Sequence, residues 1–326
     1  MNCLESLYAA ICHASVDQVH AAADEYLHPN VHWHAAHPVD DLLGPRQVAD
    51  EFLLPLCTAL PDLERRPLIQ FVGNDRGQRW VCGTGFFSGR FVKPLHGIPP
   101  SNKALALRYT ELLRIEDERI IECFIIPDFL DVMYQRGVCP VRLPLGYAGQ
   151  ILPPATLDGI RPVDADPGHG AVSKQLVMDM LDCLRRYDGL ELGSMDLENY
   201  WHPDLFWYGP GGIGTTRGIQ GFREQHQGPF LRAFPDRDVD HHACTVANGD
   251  YVATGGWPHM HGTHSGHDWL GLPASDRRLS LRVMDIWRRE GKLLRENWVA
   301  IDIPDMLMQM GYDVFSDMRS GARIVE

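Results

Sequence analysis

The sequence predicts an α+β protein made of two tandem copies of one domain, each with helices packed on one face of a strongly curved antiparallel sheet. A repeat held in a single register, helices followed by strands in each half, and a proline-rich stretch between the halves carry that expectation.

The repeat comes first because it sets the frame. A shift of 174 residues carries Tyr26-Leu27-His28-Pro29 onto Tyr200-Trp201-His202-Pro203. The same shift carries Gly44 to Gly218, Pro61-Asp62 to Pro235-Asp236, Arg108 to Arg282, Glu111 to Asp285, Glu122 to Glu296, Asp128 to Asp302 and Gly137 to Gly311. The register slips by about three residues around 83–96 and 257–270, as hairpin tips tolerate.

Within each copy the elements follow in order. Apolar residues at helical spacing predict an opening helix over Leu4 to Tyr26, and over Val172 to Arg186 continued by Asp196 to Tyr200. Short extended segments follow at Val31 to His34 and Leu205 to Tyr208, then second helices at Pro45 to Leu60 and Ile219 to Phe234, stopped by Pro61 and Pro235. Strands are expected at 68–74, 80–87, 104–115 and 120–126, and again at 242–248, 251–259, 279–289 and 293–301. A meander curving around its helices encloses a pocket. The domains are expected at 1–137 and 171–315, with a linker at 138–170 rich in proline and glycine and a tail at 316–326.

A net charge of -13 argues against a nucleic-acid partner, which needs clustered cations to displace counterions. The eight cysteines form no CxxC pair and are read as reduced thiols. No apolar run reaches the ~20 residues of a membrane span, and the first residues lack a basic segment and cleavage site. The expected location is cytoplasmic, away from membranes. No phosphate-binding loop appears, since Gly209-Pro210-Gly211-Gly212 has no lysine after it.

Alternation along 279–289 places Leu281, Val283, Asp285 and Trp287 on one face. An aspartate among apolar neighbours is either paired with a basic group or held as an acid/base with a raised pKa. Copy one repeats the pattern with Leu107, Tyr109, Glu111 and Leu113. Asp302 and Asp128, each with an aspartate three residues on, suit helix N-caps. Glu296 and Glu122 are expected to pair across strands with Arg282 and Arg108. His259, His261 and His264 crowd one hairpin, but a metal needs a third ligand at about 2.0–2.2 Å; copy one has only His32 and His34, on a different segment, so no metal or other cofactor is expected. Trp33, Trp207, Tyr208, Trp257 and Trp287 supply apolar wall.

Gly262-Thr263-His264-Ser265-Gly266, Gly271-Leu272-Pro273, Gly291 to Trp298 and Asp302 to Gly311 come in an order and spacing that resembles SnoaL-like polyketide cyclases of the nuclear transport factor 2-like superfamily. Copy one matches through Gly85-Phe86-Phe87-Ser88-Gly89, with Phe87 in place of the motif histidine, through Gly97-Ile98-Pro99-Pro100 and through Glu122 to Gly137. The resemblance implies cone-shaped barrels with an apolar cavity and, in the cyclases, cofactor-free acid/base closure of a polyketide ester. It departs at two places: the cyclase acid/base aspartate falls on Val299 and Ile125, and the pocket asparagine on Trp207 and Trp33. It also puts Asp285 and Glu111 where the cyclases carry a pocket histidine.

The expected activity is that of a cyclase, isomerase, lyase or hydrolase acting on a small apolar carbonyl or ester compound. Asp285 would be the acid/base, His264 a polarising donor and Asn297 an orienting residue, with Trp207, Tyr208, Trp257, His259 and Trp287 around the substrate. Glu111, Tyr109 and Trp33 would form a second site. The alternative is a non-catalytic binding or structural module. Either way the copies are expected to pack as an intrachain pseudo-dimer, sheet against sheet, with association of whole chains into a homodimer left open.

Overall fold

The computed structural model describes residues 2–164, 166–187, 189–239 and 242–320. Copy one opens with two helices where one was expected, α1 (Asn2–Ile11) and α2 (Val16–Tyr26). The break follows from Ser15, which caps α2 in a reciprocal box with Gln18, so the chain must leave α1 before it. Then come β1 (Leu27–Ala35), β2 (Asp41–Leu43), α3 (Gly44–Val48) and α4 (Leu54–Ala59), followed by β3 (Glu64–Asp75), β4 (Gln78–Arg90), β5 (Ala104–Glu116), β6 (Arg119–Pro127) and α5 (Phe129–Gln135). A π-helical turn, Ala49–Leu53, joins α3 to α4. Pro55 lies in the first turn of α4 and lacks the N–H that an unbroken α-helix would need there. Ile160–Arg161, inside the stretch read as linker, forms β7 along β3.

Copy two repeats the plan with α6 (Pro167–Leu184), β8 (Trp201–Tyr208), β9 (Thr215–Arg217), α7 (Gly218–Phe222), α8 (Gly228–Ala233), β10 (Asp238–Val239), β11 (Cys244–Asn248), β12 (Tyr251–Thr263), β13 (Arg278–Glu290), β14 (Leu293–Ile301), α9 (Ile303–Met310) and α10 (Val314–Ser320). A π-helical turn again precedes a proline, Pro229. Of the tail, 321–326 lie outside the described residues.

Each sheet has seven strands. The order in copy one is β2-β1-β6-β5-β4-β3-β7; copy two runs β9-β8-β14-β13-β12, with β10 and β11 on different stretches of β12. The long strands pair antiparallel as expected, but β1 runs parallel to β6 and β8 to β14. Asp128 and Asp302 cap α5 and α9, as their spacing suggested.

The cross-strand pairs correct two sequence expectations. Arg288, not Arg282, meets Glu296, and Arg114, not Arg108, meets Glu122, because the pairing of β13 with β14 and of β5 with β6 brings those residues side by side. The register also equates Phe87 with Met260, since each faces the equivalent of Leu107 or Leu281. The counterpart of His264 is therefore Phe91: His264 bonds to Arg277 and Asp276 through its backbone as Phe91 bonds to Lys103 and Asn102.

The outer faces of the sheets meet. At Gly73 a β-carbon would lie 2.7 Å from the Ala247 carbonyl oxygen, so only glycine permits this approach; at Gly255 one would lie 2.6 Å from Leu112 Cδ1 of the other copy, a side-chain end that would have to move aside. Around this contact the repeat acts symmetrically. Asp302 accepts from the His37 N–H at 2.9 Å and Asp128 from the Gly211 N–H at 2.7 Å. Arg282 reaches Asp40, while Arg108 donates to the Tyr208 and Gly209 carbonyls. No helix among the described residues is long and apolar enough to cross a membrane.

Candidate active site in the second copy

The cavity of copy two has a volume of about 570 Å³. Its floor is the inward face of β13, where Leu281, Val283, Asp285 and Trp287 line it together, as strand alternation requires. Trp201 and Trp207 come from β8, Val299 and Ile301 from β14, and Val239 from β10. Phe222 of α7, His226 of the π turn and Phe230 of α8 close the roof as an aromatic stripe at helical spacing.

Asp285 is the buried carboxyl of this wall; the other lining carboxyl among the described residues, Asp238, is exposed. Burial pushes its pKa up to about 7, and the hydrogen bond from Asn297 Nδ2 to Oδ1 at 3.1 Å offsets that only in part. Thr254 lies directly across from it on β12, fully buried, its hydroxyl without a partner among the described residues. The Trp201 and Trp287 rings lie 6.2 Å apart, and both indole N–H groups are buried and unpartnered among the described residues. His226 stacks on Trp207 at 4.1 Å, and desolvation lowers it and His259 to about 3, so both imidazoles are neutral. Native interiors seldom leave so many polar atoms unpaired unless water or a ligand completes them.

The expected site residues divide accordingly. Asp285, Trp207, His259 and Trp287 line the cavity, and Asn297 holds Asp285 from β14. His264 lies outside the wall: it is buried between Phe234 and Trp269, with Nδ1 3.2 Å from Ser275 Oγ, and steadies the end of the hairpin. Tyr208 also faces away, stacked on Trp298 at 5.1 Å on the opposite face of β8 from Trp207. Trp257 lies under the Arg282 guanidinium and against Phe124 of copy one, where the copies meet.

In copy one Glu111 is ion-paired with Arg65, Tyr109 stacks on Phe87, and Trp33 packs on Phe52. Sequence reasoning missed Trp201, His226 and Thr254. The 222-226-230 spacing was the available signal for His226; nothing local distinguishes Thr254 from any strand threonine.

A family model described as SnoaL-like polyketide cyclase matches residues 7–136 and 181–310, once for each copy. The chain belongs to that family. Solved structures similar to it include AclR from Streptomyces galilaeus (23% identity, covering 44% of this chain and 97% of that one, TM-score 0.35). IdmH from Streptomyces antibioticus shows 23% identity over 42% and 99% of the two chains, with a TM-score of 0.33. TsrD from Streptomyces laurentii shows 26% over 43% and 96%, with a TM-score of 0.33. No match is found among curated proteins. Val299, where the resemblance puts the cyclase aspartate, pairs directly with Asp285 across β13 and β14.

Proposed function

We propose that copy two is the working half of the chain and catalyses proton transfer on a small, uncharged, largely apolar carbonyl or ester compound, without a cofactor. The observation that carries this reading is Asp285, a carboxyl near pKa 7 set among Leu281, Val283, Trp287 and Val299 in the cavity wall. A group that is half ionised at neutral pH can both take and return a proton.

The ionised Asp285 would remove a proton from the carbon next to the carbonyl, leaving the electron pair on the carbonyl oxygen as an enolate. The unpaired indole N–H of Trp201 or Trp287 would stabilise that oxygen. The proton then returns from Asp285 to the same carbon, to another carbon in an isomerisation, or to the alkoxide of an intramolecular aldol closure. Neutral His226 and His259 add polarity without charge beside Asp285, while Arg185, Arg237 and Asp238 are the other charged side chains of the lining.

The test is α-proton exchange in D2O followed by NMR on a panel of ketones and esters, beginning with 2-tetralone. Exchange should be faster with the protein than with acetate buffer alone, and Asp285→Asn should lower it by about 10²-fold or more. Equal exchange by D285N and wild type would remove Asp285 from the chemistry. Saturable binding without any exchange would leave a binding module.

A further inference from the structure

We infer that the interior of copy one is a binding site for a planar amidinium or guanidinium cation, filled by the chain's own Arg65. The argument is independent of any activity in copy two and begins with the internal symmetry. Arg65 pairs with Phe87 as Val239 pairs with Met260, so Arg65 and Val239 hold the same place in the two folds. Val239 lines the open cavity of copy two. Arg65, at the same place, crosses the corresponding space to reach Glu111, the counterpart of Asp285.

The surroundings are those of a cation site. The guanidinium carbon lies 5.5 Å from the Tyr8 ring centre and 5.1 Å from that of Tyr109, within cation–π range of both. Glu111 supplies the carboxylate, and Gln70 Oε1 accepts a second bond from the same terminal nitrogen. The fit is incomplete in a way that points to a site and not to a settled core. Arg65 Nε, Glu111 Oε2 and the Tyr8 and Tyr109 hydroxyls are all buried without a hydrogen-bond partner among the described residues. A free planar cation, unconstrained by a backbone tether, could satisfy groups that the tethered side chain leaves unpaired. On the floor, Gly83 takes the place of Thr254, both standing opposite the carboxyl-bearing residue.

The experiment removes the resident occupant and offers a free one. Arg65→Ala in the full chain should bind benzamidine, whose amidinium matches Glu111 and whose ring would take the space the Arg65 side chain leaves beside Tyr8 and Tyr109. Binding should appear as a saturable rise in Tm of roughly 5 °C at roughly 100-fold excess over Kd. Benzamide, the neutral isostere, should give none, and R65A/E111Q should lose the response. Wild type should show no benzamidine shift, because Arg65 already fills the place. Should R65A not fold alone, recovery of its far-UV circular dichroism by benzamidine is the same readout, and Arg65→Val, the side chain copy two carries there, provides a second background. Equal responses to benzamidine and benzamide, or none in either variant, would overturn the inference.

Discussion

Replacing Asp285 by asparagine should change how stability depends on pH, with a sign and size that follow from the cavity. An aspartate ordinarily at 3.8 is raised to about 7 by burial, with one neutral hydrogen bond against it. Between those values the folded protein holds a proton that the unfolded chain has lost, so stability falls as pH rises through the window. The penalty is absent below the unfolded value and complete above the folded one. At ~1.4 kcal/mol per pH unit it amounts to about 4 kcal/mol. The asparagine of the variant carries no such cost and keeps the shape. Urea unfolding of the full chain at a series of pH values from about 3.5 to about 8.5 should therefore show D285N gaining on wild type steadily between about pH 4 and 7, with a plateau beyond. Asp302, also raised to about 7, titrates alike in both proteins and cancels in the difference. Parallel curves across the whole range would mean that Asp285 is not desolvated, and would remove the basis of its acid/base role.

Other consequences are equally concrete. Trp201→Phe and Trp287→Phe each delete an unpaired cavity donor, and each should weaken 2-tetralone binding about 5- to 10-fold by calorimetry; unchanged affinity for both would exclude the indoles as carbonyl donors. Gly73→Ala puts a methyl 2.7 Å from the Ala247 carbonyl oxygen and 2.7 Å from Val246 Cγ1 of the other copy, and should cost about 1–3 kcal/mol in chemical unfolding by forcing the copies apart. Arg282→Met strips the fully buried Asp302 of its cation, at a cost of about 3 kcal/mol above pH 7 that shrinks as Asp302 protonates at lower pH; a cost independent of pH would contradict the pairing.

The repeat and the strand alternation explain how much of the site was readable in advance. Leu281, Val283, Asp285 and Trp287 share the cavity floor because a period of two is a property of any strand. The caps at Asp128 and Asp302 were readable because a cap lies three residues from the N–H it accepts. His264 shows the limit of such local signals. A motif position gives its place along the chain, whereas its burial behind Phe234 and Trp269 depends on residues 30 before and 5 after it. Aromatic character alone does not place a side chain in the wall: Tyr208 stacks on Trp298 behind β8, and Trp257 packs against Phe124 where the copies meet.

The sequence by itself determined the duplication, the α+β character, the shared face of Leu281, Val283, Asp285 and Trp287 and the two carboxyls at Glu111 and Asp285, because these follow from periodicity and local bonding. The tertiary structure decided which carboxyl stands in an open cavity. Arg65 and Glu111 are 46 residues apart, and their meeting closes one interior while Val239 leaves the other open. That outcome rests on long-range register between separate strands, where one side chain's length and charge settle whether space is filled.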